Sequence, residues 1–169
     1  MVHIRIDKKK VLLLGSYLDV CHTHASRLKM ALSHIKHLYP IQASAFVNLK
    51  DDEVSYLELL ISRFSKLQDV IGFEIFPILI DLSQGEMKGS SFLDVLNQME
   101  KLEILPSAKV WIDMRELRNH LTHEYPEHPD FMANNCNQAI QTAQELLQYW
   151  KELQEKAQKI KEEWTRQLS

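Results

Sequence analysis

From Ala139 to Trp164, apolar residues recur at alternating steps of four and three: Ala139, Ala143, Leu146, Trp150, Leu153, Ala157, Ile160 and Trp164. A seven-residue repeat of this kind draws a narrow apolar stripe down one side of a long helix, and a stripe that long has to be covered by another long helix. The natural partner lies near the start of the chain. A helix is predicted from about Lys9 to Leu38, with Leu14, Leu18, Cys21, Ala25, Leu28, Leu32 and Ile35 at the same helical spacing. The charged tail KELQEKAQKIKEEW is expected to project or to pair with a second copy, with Trp164 as its candidate partner or dimer contact.

The 4 glycines and 5 prolines leave few places to turn, which favours a few long elements over many short strands. The opening VHIRID alternates but is too short to build a sheet. A second helix starts near DDEVSYLELL, where acidic residues suit the positive end of the helix dipole, and runs through EIFPILI with a kink at Pro77. SFLDVLNQMEKLEIL reads as a third helix capped by Ser90 or Ser91, and Pro106 and Ser107 open a fourth. After YPEHPD the last helix covers about residues 130–165. The reading is an all-α bundle of about five helices in one domain spanning residues 1–169, a length that suits a single core.

The formal net charge of −3 argues against a protein that coats nucleic acid broadly, so any RNA contact must use a local patch. Cys21 and Cys136 match no metal spacing and read as free thiols in a reducing compartment. The start mimics a signal peptide, but the apolar run VLLLGSYL is short, Asp19 ends it, and no cleavage site follows. No stretch approaches the roughly 20 apolar residues that span a bilayer, so the expectation is a cytoplasmic protein with no membrane contact. His22, His24, His34 and His37 read as surface or interface histidines, Lys8 to Lys10 as a solvated helix start, and Trp111 and Trp150 as core or dimer contacts.

The segment MRELRNHLTHEYPEHPDF, Met114 to Phe131, breaks this ordinary pattern. On a helix, Val110, Met114, Leu117 and Leu121 form the stripe that faces the core. Arg118, Thr122 and Tyr125 follow one flank, with Arg115 and Asn119 beyond them. His123 lies about 140° from Arg118 on a regular helix, so the two would not meet. Pro126 disfavours helical geometry at Tyr125 and crowds the Thr122 carbonyl, so the helix end is expected to loosen there. Arginine and histidine then converge, or each faces its counterpart in a second subunit.

Three chemistries fit these residue types. Histidine transfers protons near neutral pH, and arginine presents a planar fork to a phosphate in its transition state, so an Arg, a His and a hydroxyl suffice for metal-free RNA cleavage with the 2′-OH as nucleophile. Asn119 adds a donor, and Arg115, Thr122 and His120 are candidate substrate contacts. Alternatively, Glu116, His120 and His123 share one helix face at spacing i, i+4, i+7 and could ligate zinc. HEYPEH is not the metalloprotease motif, because His128 comes too late and Pro126 breaks the required helix. The third reading is a solvated polar face.

RNHLTHEY resembles the R-x4-H-x-Y signature of the HEPN superfamily, in particular the HepT-type toxins, with Arg118, His123 and Tyr125 on its fixed positions and polar Asn119 after the arginine. The motif also lies where that superfamily carries it, at the end of a late helix before a proline-bearing turn and a long closing helix. The chain departs from it in its length, its extended last helix and its extra His120. The resemblance implies a metal-independent endoribonuclease without a cofactor, acting as a homodimer with facing motifs. Arg118 would stabilise phosphorane-like charge, His123 would act as general acid or base, and Asn119 would orient substrate or Arg118. Tyr125 is the position that a cognate nucleotidyltransferase antitoxin modifies with AMP, which blocks the cleft by charge and bulk. A catalytically silent HEPN subunit that binds a nucleotidyltransferase is the alternative.

Overall fold

The structure, a computed structural model, describes residues 8–122 and 128–169, and no strand occurs among the described residues. Helix α1 (Lys8–Ile35) ends in a 3-10 turn (Lys36–Leu38), and the one-turn α2 (Ala43–Phe46) follows. Helix α3 (Asp51–Val70) runs through a π turn (Ile71–Ile75) into α4 (Phe76–Gln84), and α5 (Phe92–Lys101), α6 (Ala108–Thr122) and α7 (Pro129–Leu168) complete the order. With α3 and α4 taken as one rod and α2 set aside, the described residues give the five helices expected.

Local chemistry accounts for the helix ends. Asp51, Asp52 and Glu53 occupy the first turn of α3, and the Glu53 carboxylate accepts the Lys50 backbone N–H (2.8 Å). Ser91 caps α5: its hydroxyl accepts from the Asp94 N–H (3.2 Å), while Asp94 accepts from the Ser91 N–H (2.8 Å). Helix α6 borrows its cap, for the Glu100 carboxylate on α5 accepts the Ala108 N–H (2.7 Å).

Pro77 produces a π turn. Proline has no N–H and its ring crowds the carbonyl four residues back, which is Phe73. The helix widens over Ile71–Ile75, with the Phe76 N–H bonded to the Ile71 carbonyl, and tightens again in α4. The widened turn carries Gly72, where a Cβ would lie 3.2 Å from the Phe92 ring and 3.3 Å from Trp111 Nε1. The glycine is therefore what lets α5 and α6 close over the turn.

Helix α1 is antiparallel to the α3–α4 rod. Its first turn is tied to the end of α4 by Lys10 and Asp81 (2.9 Å), and its last turn stacks His34 on Tyr56 near the start of α3 (4.0 Å between ring centroids). Helix α7 lies antiparallel to α1. Asn137, near the start of α7, both donates to the Ile41 carbonyl and accepts the Ile41 N–H (2.9 and 2.7 Å), while Lys161 near its end packs over Gly15. The core runs between these helices: all seven apolar positions named in α1 are buried, as are Ala139 to Ala157 of the α7 repeat.

Two expectations need correction. The tail of α7 does not project. Ile160, Trp164 and Leu168 are half-buried against the chain's own core, because α1 is long enough to accompany α7 to its end. Val110 is not part of the buried stripe of α6; it is 47% exposed, and Trp111 (2%) takes the core position beside Phe76 and Tyr149. The broad indole fills the space between three helices, and that rotates the buried face by one residue at this end of α6.

Candidate functional site

Helix α6 presents Trp111, Met114, Leu117 and Leu121 to the core and its polar residues to the surface beside the α3 rod. This orientation is set by packing: Trp111 meets Phe76 at 5.1 Å and Tyr149 at 5.9 Å between ring centroids, and the buried Gln68 amide donates to the Trp111 carbonyl (3.2 Å).

With the helix held this way, Arg118 faces α3. Its guanidinium donates from Nη1 to the Asp69 carboxylate in an ion pair, with the arginine side chain 15% exposed and the aspartate 46%. Arg115, one turn earlier, lies over two aromatic rings, with its guanidinium carbon 4.4 Å from the Phe92 centroid and 5.0 Å from that of Phe73. Asp69 and Phe73 are one turn apart on the rod, as are Arg118 and Arg115 on α6. The two helices therefore meet in two rungs, an ion pair and a cation–π stack, with the π turn at the second.

The remaining candidates lie around this contact. Asn119 is exposed, and its carbonyl accepts from the Thr122 hydroxyl (2.9 Å), so that proton is engaged within the helix. His120 is exposed, with its ring 6.0 Å from Phe131 at the start of α7. Glu116 is exposed too, and among the described residues no group of three His, Cys, Asp or Glu side chains is placed to hold a metal. His123, Tyr125 and Pro126 lie outside the described residues, so the convergence of Arg118 and His123 and the loosening of the helix end lie there as well.

Chemically, the described part can deliver positive charge. Two guanidinium groups stand one turn apart at the surface, one neutralised by a half-exposed carboxylate and one screened on its faces by aromatic rings. The sequence offers no local signal for Asp69, which is 49 residues away from Arg118 along the chain. The aromatic partners of Arg115, Phe73 and Phe92, are likewise remote in sequence. The surface grooves lie elsewhere. One of about 560 Å³ opens between α1 and α7 and is lined by Asp19, His22, Trp150 and Glu162 among others; one of about 310 Å³ separates α6 from α7 beside Leu117.

The histidines of α1 and of the 3-10 turn after it are mostly accounted for by neighbours. His34 is stacked on Tyr56, and His37 lies 3.4 Å from Glu53. Cys21 and Cys136 are free and buried, and burial pushes the Cys21 thiol up to about 12 and the Cys136 thiol up to about 11. Among the described residues no helix is long and apolar enough to cross a membrane. No protein-family model, no curated protein and no solved structure shows significant similarity to the chain.

Proposed function

We propose that the chain is a HEPN-type, metal-independent endoribonuclease of the HepT kind, the toxin of a toxin–antitoxin pair. The observation that carries this reading is the R-x4-H-x-Y spacing of Arg118, His123 and Tyr125 in the sequence, with Arg118 near the end of a late helix in an all-α bundle closed by a long last helix. In this reading the 2′-oxygen attacks phosphorus as its proton passes to a base. The bond to the 5′-oxygen breaks, and the departing oxygen takes a proton from an acid. His123 serves one of these proton transfers and its copy in a second subunit serves the other. Arg118 offsets the charge that builds on the phosphorane oxygens, and Asn119 orients it or the substrate. Arg115, His120 and Thr122 flank the strand. A cognate nucleotidyltransferase silences the protein by placing AMP on Tyr125.

The position of Arg118 agrees with a dedicated role. A largely buried guanidinium held by one carboxylate is pre-oriented, and an incoming phosphate need only compete with Asp69 for it. The same pair favours the second reading, a catalytically silent HEPN subunit that binds a nucleotidyltransferase: Arg118 is already neutralised and Arg115 is already stacked. The test is RNA cleavage by purified protein in EDTA, wild type beside His123→Ala. Cleavage by the wild type and not by the variant is the result expected. Cleavage abolished by EDTA points instead to metal at Glu116, His120 and His123. Absence of cleavage by protein whose Tyr125 peptide has its unmodified mass favours the silent subunit.

A further inference from the structure

Four basic side chains meet where α1 crosses α3. His24 and Arg27 are one turn apart on α1, and Arg63 and Lys66 one turn apart on α3. Arg63 Nη1 donates to His24 Nδ1 at 3.1 Å, which joins the two pairs. Among the described residues none of Arg27, Arg63 and Lys66 forms an ion pair with a carboxylate, and the Arg63 Nε–H is buried with no acceptor. Of the acids along the same two helices, Asp69, one turn beyond Lys66, is engaged by Arg118, and Glu74 by the Tyr17 hydroxyl from α1, while Asp19 and Glu58 lie five residues from His24 and Arg63, off the i±3 and i±4 positions that would face them. In a chain of net charge −3, a cluster of cations without a counter-charge is unfavourable by itself and becomes favourable when an anion sits among them. Burial first, and then Arg63, Lys66 and Arg27, hold the His24 imidazole below its ordinary range, which leaves Nδ1 free to accept from Arg63.

We propose that His24, Arg27, Arg63 and Lys66 form a phosphate-binding site for the backbone of a single RNA strand. The choice of strand rests on the nuclease reading above. Lys66, Asp69 and Phe73 follow one another by single turns along α3 and its π turn, so the cluster continues directly into the contact that holds Arg118 and Arg115. From Arg63 to Phe73 the rod rises about 15 Å at 1.5 Å per residue, room for a stretch of backbone on either side of a scissile phosphate. The site would bind without regard to base, because cations aimed at phosphate carry no sequence information.

The test is the salt dependence of binding to a single-stranded DNA oligonucleotide, which offers the same phosphates and lacks the 2′-OH needed for cleavage. Arg27→Gln/Lys66→Gln alters two exposed side chains and keeps the core intact. Expected is a slope of log K against log salt that is shallower than wild type by about 1.4, from roughly 0.7 for each phosphate of a single strand that the variant no longer neutralises. Lys50→Gln/Lys151→Gln, an equal loss of charge at exposed positions off this face, should leave the slope unchanged. An unaltered slope in the first variant, an equal drop in the control, or no binding by the wild type overturns the proposal. If inorganic phosphate shifts the His24 ring resonances but the oligonucleotide does not bind, the site takes small anions and the strand proposal is likewise overturned. RNA cleavage in the same preparation keeps the two readings apart. Uncut RNA with the slope difference present refutes the nuclease alone, and cut RNA with the slopes equal refutes this site alone.

Discussion

Arg118 is the residue on which the proposed chemistry turns, and its surroundings set how it responds to change. Removing Asp69 would strand a largely buried guanidinium, whereas removing Arg118 would leave a half-exposed carboxylate that water can serve. Asp69→Asn should therefore destabilise the fold by about 1–2 kcal/mol, more than Arg118→Ala does through the missing pair, as chemical denaturation of the two variants would reveal. In cleavage assays the order should reverse. Arg118→Ala should lower kcat by roughly 10²–10³-fold and His123→Ala by roughly 10²–10⁴-fold, the usual cost of losing a charge-stabilising donor or a proton-transfer group. The buried thiols make a separate prediction with a fixed sign. Their unfolded-state pKa is near 9 and their folded values are about 12 and about 11, so unfolded chains lose these protons first as pH rises. The stability they contribute is complete below the unfolded value and is lost as pH climbs through the folded ones. Urea titrations should show stability falling between roughly pH 9 and 12, and Cys21→Ser/Cys136→Ser should flatten that fall. A flat profile in the wild type would refute the assigned burial.

At the scale of elements, the π turn before Pro77 is the joint on which the site depends. It accommodates a proline inside a long rod and carries both Gly72, over which α5 and α6 close, and Phe73, on which Arg115 stacks. Gly72→Ala should cost about 1–3 kcal/mol, because Trp111 is locked between Phe76 and Tyr149 and cannot yield to a methyl group. Its near-ultraviolet signal from the indole should change as well; an unchanged spectrum with unchanged stability would show that the contact is slack. The helix boundaries were largely legible in the sequence. Ser91, the acidic start of α3 and the Pro106–Ser107 break all act through neighbours a few residues away, and short-range chemistry is what a linear reading can see. The one-residue error at Val110 has the opposite origin. Valine and tryptophan are neighbours in the chain, and only the shape of the space between α4, α6 and α7 selects the indole.

For the whole molecule, the pairing of the two longest helices matters most. Because α1 accompanies α7 to its end, Trp164 belongs to the fold of a single chain. Trp164→Ala should lower stability by about 1–2 kcal/mol, less than for a fully buried indole, and the loss should not depend on protein concentration. A loss that vanishes at low concentration would assign Trp164 to an interface between copies. The dimer of the nuclease reading is a distinct matter, since it needs two copies of the motif to face each other. Sedimentation of the wild type across a hundredfold dilution would find it or refute it.

The helical class, the partnership of first and last helices and the motif itself could all be read from the linear chain, because each is written in periodicity or in residues a few positions apart. The four-three repeat demanded a long partner, and the first helix had both the length and the matching stripe. The partners of the motif were not legible. Asp69 reaches Arg118, Phe73 and Phe92 reach Arg115, and His24 reaches Arg63 across separations of tens of residues, and nothing local distinguishes these side chains from any other on a solvated face. Which faces of three helices come together depends on how a glycine, a proline and a tryptophan pack against one another. That is a property of volumes in contact, and it exists only once the chain has folded.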